Sequence, residues 1–163
     1  YQAIILNYSF VPSNYHILSI TPISYMFLHF NFEHIIMNSL ALMAFGTGVE
    51  KFLGSKKMAL FYVVCGLFAV YAQYLFSLNS SDIILGASGA ISGLFGGIVY
   101  IIKKQQSHFN LLAIIVLWIV FSIIQALFYG ALENGAIAFV AHIAGFLAGL
   151  FLMPLFVKKS AVN

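Results

Sequence analysis

The sequence is poor in charge. Only 7% of its 163 residues are charged, whereas 63% are hydrophobic and 17% are aromatic. Soluble domains carry about 25% charged residues, and a chain of this length cannot hide so much apolar surface from water. The composition therefore excludes a water-soluble protein and indicates an integral membrane protein.

The chain also lacks a second cysteine, an internal repeat and a low-complexity linker. Cys65 cannot form an internal disulfide, and within an apolar run we expect it to be a small core residue. The absence of linkers predicts a single domain over residues 1–163. No basic segment precedes the first apolar stretch, so no signal peptide is expected. Because the chain begins with Tyr1, we expect it to be part of a longer protein.

The few charged residues divide the sequence into five uncharged apolar blocks. These blocks are residues 35–49, 58–78, 83–102, 111–132 and 136–157. Four approach or exceed the ~20 residues that cross a bilayer as a helix, and a helix start near Glu33 would lengthen the first. No stretch alternates with period two, and open sheet edges do not occur in lipid. The sequence predicts an all-α, polytopic transmembrane bundle over residues 33–159, with five helices here and the first of six missing.

The lysines predict the orientation of this bundle. They are the only basic residues apart from histidine, and they stand at Lys51, Lys56, Lys57, Lys103, Lys104, Lys158 and Lys159. All fall on one side of the five-block topology, and excess lysine marks the cytoplasmic side. We therefore expect a cytoplasmic C-terminus and an uncharged external loop, residues 1–32, resting in the membrane interface. The net charge of +3 reflects topology and not a nucleic-acid-binding face.

Three polar side chains are predicted to share one layer of the membrane. At 1.5 Å per residue from the cytoplasmic lysines, Asn38 lies ~20 Å, Ser88 ~22 Å and His142 ~24 Å up. Their three helices run in the same direction, so the layer lies near the outer surface, where water has access. Polar groups at membrane depth are candidates for function, and a common height is what a shared site requires.

Glycines provide a way to bring two of these residues together. They recur every fourth residue at Gly89, Gly93 and Gly97, and again at Gly145 and Gly149. Such small-residue stripes let membrane helices approach closely. If the stripes face each other, Ser88 and His142 come within hydrogen-bond reach, as a nucleophile and its base require. No carboxylate is expected at that depth, so the sequence predicts a dyad and not a triad.

An acyl-transfer site also needs hydrogen-bond donors for an oxyanion. His34 and Asn38 are four residues apart and so share one helix face. Ser88, if near a helix start, offers its own backbone N–H, and Gly86 allows a tight bend before it.

Three motifs give a family resemblance. HFNFEHIIMN (29–38), GASG (86–89) and AHIAGFLAG (141–149) resemble the rhomboid intramembrane serine proteases in order, spacing and topology. The resemblance implies that Ser88 is the nucleophile and His142 the general base. It implies an oxyanion hole of His34, Asn38 and the Ser88 amide, and a structural or water-organising role for His29.

The resemblance further implies cleavage of transmembrane substrates near their membrane ends, with small residues preferred before the scissile bond. Substrates would arrive sideways between blocks one and four, the latter holding Trp118, Phe121 and Phe128. The chain departs from the family at Ile20 and Thr21, where a Trp-Arg pair is common. It also has Ser92 where an aromatic residue usually packs on the catalytic histidine, so Ser92 bonds His142 or leaves it less restrained.

Two other functional classes stay open at this point. One is a rhomboid-like pseudoprotease that binds transmembrane segments without cleavage, and the other is a small channel or transporter. No cofactor and no metal is predicted, because His29 and His34 do not stack on one helix face. Gln73 and Gln125 are predicted to form interhelical hydrogen bonds. The expected partners are transmembrane protein substrates and the lipid bilayer, and the expected location is the bacterial cytoplasmic membrane.

Overall fold

The computed structural model describes residues 1–106, 108, 110–133 and 139–157, with the helix backbone alone over 125–133. Within these ranges the regular structure is helical, and the one β feature is an isolated bridge between Phe10 and Ile84. The predicted all-α fold is confirmed. The side chains of Gln125, Phe128 and Glu133, and the whole of Lys158 and Lys159, lie outside the described residues.

Five long helices follow a short N-terminal region. The N-terminal region holds α1 (Gln2–Tyr8), a 3-10 turn (Pro12–Asn14), α2 (Thr21–Ser24) and a second 3-10 turn (Tyr25–Phe27). The long helices are α3 (Phe32–Leu53), α4 (Ser55–Phe76), α5 (Ser88–Gln105), α6 (Leu111–Glu133) and α7 (Phe139–Phe156). Each corresponds to one of the five apolar blocks. Residues 1–32 therefore contain short helices as well as loop, and their place in the membrane interface stays a prediction.

The ends of α3 follow from local chemistry. The Asn31 side chain accepts a hydrogen bond from the His34 backbone N–H at 2.8 Å, which satisfies a donor of the first turn. Glu33 in the first turn and Lys51 in the last turn both complement the helix dipole. Helix α3 ends before Gly54, whose φ of 75° is a left-handed conformation that favours glycine. Helix α4 begins at the next residue.

Helix α5 lies at the centre of the bundle and contacts the other four long helices. Its closest neighbours are α7 and α4. A Cβ atom built on Gly149 would overlap the backbone of Gly93, and one on Gly145 would overlap the carbonyl oxygen of Gly89. Backbones meet here with no side chain between them, as small residues permit in membrane helices.

The register of these contacts gives the helix directions. Along α5, Gly89 and Gly93 meet Gly145 and Gly149 of α7 in the same order, so the two helices run parallel. Against α4 the order is reversed, because Gly89 packs on Ala69 and Gly93 on Cys65. This agrees with the alternating topology that the lysines predict.

The prediction of a glycine stripe on α5 was incomplete at its C-terminal end, at Gly97. Gly97 packs against Phe61 of α4 and Met153 of α7, and it is Gly96 whose Cβ would overlap the Phe146 carbonyl oxygen. Residues four apart are offset by about 40° around a helix, so a strict every-fourth-residue stripe turns away from a straight partner. Glycines on α5 therefore serve two neighbours.

Two described helices, α4 and α7, are long and apolar enough to cross a membrane by length and composition. Helix α6 contains a shorter apolar stretch, Leu111–Ile124. The polar and glycine residues of the candidate site lie on α3, α5 and α7.

Candidate active site

Ser88 is the first residue of α5 and follows a non-helical segment, residues 83–87. The apolar block starting at Ile83 therefore begins its helix five residues later than its composition suggests. Ile84 exchanges two backbone hydrogen bonds with Phe10, at 2.8 and 3.0 Å. The Gly86 N–H donates to the Tyr25 carbonyl oxygen at 2.9 Å. These long-range partners accompany the non-helical course of the segment, and the helix starts at Ser88.

Gly86 is required at its position for two reasons. Its φ of 120° is a conformation that residues with a side chain rarely adopt. A Cβ there would also lie 2.9 Å from both Cε1 and Nε2 of the His34 ring. The same point is 3.8 Å from Ser88 Oγ, so the His34 ring and the Ser88 hydroxyl flank the glycine.

The Ser88 hydroxyl and the His142 ring are brought together. His142 Nε2 lies 2.7 Å from Ser88 Oγ, within hydrogen-bond distance. His142 is in the first turn of α7 and is 9% exposed. If the hydroxyl donates, Nε2 is the acceptor and the ring proton is on Nδ1, which is the arrangement that activates a serine.

The first turn of α7 is held from two sides. Gln73 Oε1 of α4 accepts from the Ala141 backbone N–H at 3.3 Å, which confirms the interhelical role predicted for Gln73. On the other side, Trp118 Nε1 donates to the His142 carbonyl oxygen at 3.5 Å. Trp118 also stacks on Phe146, with ring centroids 5.7 Å apart.

Ser92 takes a different partner from the one considered from sequence. Its hydroxyl donates to the Ser88 carbonyl oxygen at 2.7 Å, and not to His142. A serine in a helix commonly bonds the carbonyl four residues back, and here that local bond prevails. Ser92 is buried and steadies the first turn of α5.

His34 presents one ring nitrogen to the site. The Phe30 N–H points to His34 Nδ1 at 3.5 Å, a long contact that makes Nδ1 the acceptor and leaves the ring proton on Nε2. The His29 ring meets His34 edge-on at 5.0 Å between centroids. His34 Nε2, beside Gly86 and Ser88, can therefore donate a hydrogen bond.

Asn38 lies one helical turn further along α3. It is 7% exposed, and its Nδ2 donates to the His34 carbonyl oxygen at 3.0 Å. With Ala87, the residue before Ser88, it lines a cavity of about 410 Å³ between α3 and α4. A second N–H of the same amide remains for a ligand.

His29 borders the same cavity. Its Nε2 is buried and has no hydrogen-bond partner among the described residues. Burial lowers the pKa of His29 from its ordinary value, so the neutral ring is favoured. His29 therefore carries a buried nitrogen without a described partner, next to the cavity that Asn38 also lines.

Sequence reasoning missed two residues that locate Ser88. Phe10 and Tyr25 are both buried and bind the segment before Ser88 through their backbones. Neither has a spacing signal, since each lies within an uncharged aromatic stretch. A tyrosine hydroxyl in an otherwise apolar run was the only available sign for Tyr25.

Comparisons with known proteins agree in naming one family. A family model described as "Rhomboid domain" matches residues 19–159. "Rhomboid protease GluP" of Bacillus subtilis is 36% identical over 124 residues, 76% of this chain and 23% of that protein. "Rhomboid protease AarA" of Providencia stuartii is 32% identical, covering 78% of this chain and 52% of its own length. "Putative rhomboid protease YdcA" of B. subtilis is 30% identical, covering 86% of this chain and 67% of its own length. The chain thus spans only part of each relative.

Proposed function

This chain belongs to the rhomboid family, and from that premise we propose that it is the protease domain of an intramembrane serine endopeptidase. Its reaction is hydrolysis of a peptide bond in a transmembrane substrate, near the outer membrane face. Ser88 is the nucleophile and His142 the general base. The observation that carries the proposal is the 2.7 Å approach of His142 Nε2 to Ser88 Oγ between the first turns of α7 and α5.

The geometry suits a two-step acyl transfer. Ser88 Oγ attacks the scissile carbonyl carbon while its proton passes to His142 Nε2. The carbon–nitrogen bond then breaks, and His142 returns the proton to the departing amine. Water next attacks the acyl-enzyme ester while His142 accepts one of its protons; the ester carbon–oxygen bond then breaks, His142 returns that proton to Ser88 Oγ, and the acid product leaves. Fixing the two groups on packed helices supplies the orientation that this chemistry needs.

We assign three hydrogen-bond donors to the position where negative charge develops. The Ser88 N–H lies in the first turn of α5, where a helix has no acceptor of its own for its N–H groups. His34 Nε2 flanks Gly86, and Asn38, which has a second amide N–H, lines the same cavity as Ala87. Such donors stabilise an oxyanion most strongly where water is excluded, and the assignment of all three as the oxyanion hole is part of the proposal.

The position of the dyad supports cleavage near one membrane face. Ser88 and His142 are in the first turns of α5 and α7, whereas Lys103 and Lys104 are in the last turn of α5. The site therefore lies at the end of the bundle opposite these lysines. With lysines on the cytoplasmic side, the site faces outward, the C-terminus is cytoplasmic, and the cytoplasmic membrane of a bacterium is the expected location.

A lateral route between α3 and α6 is consistent with the exposed apolar side chains of the described part of α6. Trp118 holds α6 to α7, while Phe121 beside it is 48% exposed. Because Trp118 contacts the His142 carbonyl oxygen, a transmembrane substrate that displaced this part of α6 would reach the side of the bundle that holds His142. Phe128, predicted to line the same route, has no described side chain.

The alternatives explain less of the geometry. A pseudoprotease needs no serine hydroxyl within 2.7 Å of an imidazole nitrogen. A channel needs polar groups along its length, whereas below the dyad α5 and α7 bury apolar residues, among them Leu94, Val99, Leu150 and Met153.

The test is covalent labelling of the purified protein with a serine-reactive fluorophosphonate, followed by mass spectrometry to locate the adduct. We expect the adduct on Ser88, and none in Ser88→Ala. We expect neither Ser88→Ala nor His142→Ala to cleave a reporter transmembrane substrate. Ser122→Ala changes a buried serine outside the site and His16→Ala an exposed histidine, so both controls should keep wild-type rates. Cleavage by either dyad variant would refute the assignment.

A further inference from the structure

We propose that Tyr25 is a positioning residue that ties the Ser88 segment to α4 and thereby fixes the serine relative to His142. The inference rests on the proposed function and adds a residue that neither sequence motif nor dyad geometry includes. Tyr25 is 2% exposed and lies in the 3-10 turn that precedes α3. It does not touch the reacting atoms, so it would act through the backbone.

The main chain of Tyr25 holds the bend before the serine. Its carbonyl oxygen accepts from the Gly86 N–H at 2.9 Å. Gly86 is two residues before Ser88, lies outside α5 and has a positive φ. Among the described residues, this bond is the tertiary backbone hydrogen bond nearest to Ser88 on its N-terminal side.

The side chain of Tyr25 connects the same point to α4. Its phenol oxygen donates to the Gly66 carbonyl oxygen at 2.7 Å in the interior of the bundle. The phenol also lies 3.6 Å from where a Cβ on Gly89 would stand, next to Ser88. Hence the phenol lies between α4 and the first turn of α5, next to the direct contact of Gly89 with Ala69.

Helix α4 also locates the other half of the dyad. Gln73 accepts from the Ala141 N–H, immediately before His142. Helix α4 thus positions both reacting groups, because it bonds Tyr25 next to the serine segment and, through Gln73, the residue before the histidine. A loss of the Tyr25 bond should loosen the Ser88–His142 geometry without removing a reacting group.

Tyr25→Phe isolates this effect, because the ring stays and only the hydroxyl is lost. Tyr15→Phe is the matched control, since Tyr15 Oη bonds Tyr71 Oη at 3.0 Å outside the site. Replacing Tyr25 by p-aminophenylalanine restores a donor at the same place. For each purified protein we would measure kcat and KM on a reporter transmembrane substrate, the rate of fluorophosphonate labelling at Ser88, and hydrogen exchange of the peptide covering residues 83–89.

We expect Tyr25→Phe to lower kcat and the labelling rate by about 3- to 10-fold, the worth of one buried hydrogen bond. KM should be unchanged, exchange at Gly86 should be faster, and p-aminophenylalanine should restore the values. Tyr15→Phe should match wild type in all of them. Wild-type exchange in Tyr25→Phe, or an equal loss in Tyr15→Phe, would overturn the inference while Ser88 labelling upheld the function. If the wild-type protein takes no label and the Tyr25→Phe variant still exchanges faster than wild type, the function is refuted and the positioning role stands.

Discussion

Substituting Gly145 by alanine tests whether backbone contact between α5 and α7 assembles the dyad. A Cβ on Gly145 would overlap the Gly89 carbonyl oxygen and lie 3.0 Å from the carbonyl carbon. These atoms belong to backbone and cannot rotate away, so the helices must separate by roughly 1 Å to restore van der Waals distance. Gly89 is adjacent to Ser88 and Gly145 is three residues after His142, so the separation occurs at the dyad itself.

The expected magnitudes follow from this displacement. Lengthening the 2.7 Å Ser88–His142 contact by roughly 1 Å takes it beyond hydrogen-bond range. A misplacement of that size lowers catalysis by about 100-fold. Forcing an extra methyl group into a packed interface also costs about 1–3 kcal/mol of stability. Gly145→Ala should therefore lose most of its cleavage and labelling while its melting temperature falls by a few degrees.

Gly48→Ala provides the matched control for this experiment. A Cβ on Gly48 would lie 2.9 Å from Ile98 Cδ1, the flexible end of a side chain between α3 and α5. That end can rotate, so we expect near wild-type cleavage. Labelling kinetics and thermal unfolding in one detergent compare the two variants. A Gly145→Ala protein with wild-type rate and melting temperature would show that close helix approach is not what joins Ser88 and His142.

Three further predictions concern the donors and the bend. Asn38→Ala should slow cleavage by about 10- to 1000-fold with Ser88 still labelled, as loss of one oxyanion donor does; an unchanged cleavage rate would place the donor elsewhere. Gly86→Ala adds strain at φ of 120° and meets the His34 ring, so labelling should fall far more than in Gly54→Ala, whose Cβ meets nothing within 4 Å. Because burial lowers the pKa of His29 in the folded chain, the unfolded chain binds more protons below about pH 6.5. Stability should fall as pH drops through that value, and less steeply in His29→Gln; parallel melting curves would contradict this.

The arrangement of the helices could be predicted because a lipid bilayer allows few structures and few positions for charged residues. Charges are confined to helix ends, so Glu50 and Lys51 marked the end of α3 before any geometry was known. The common height of Ser88 and His142 followed from helix rise alone. Their contact did not follow from rise, and it was the paired glycines that predicted which helices meet.

The missed features share a physical cause, which is that each depends on a backbone partner distant in sequence. Ile83 to Ala87 are uncharged and apolar like the helix that follows, yet Phe10 and Tyr25 hold them out of the helix. The Ser92 hydroxyl could bond either His142 or the Ser88 carbonyl oxygen, and the structure shows that it bonds the Ser88 carbonyl oxygen. Composition carries no information about such pairings.

The bundle also explains why the candidate site depends on glycine more than on charge. Between membrane helices there is no hydrophobic driving force, because lipid tails are as apolar as the helix surfaces. Association then depends on close packing and on a few buried hydrogen bonds, here those of Tyr25 and Gln73 to backbone atoms. A carboxylate that oriented His142 would need its own partners at this depth. The packing of Gly145 on Gly89 holds the imidazole against the hydroxyl without that cost. The geometry of the dyad therefore depends on backbone contact. Variants that alter this contact should impair the reaction more than variants that change surface charges.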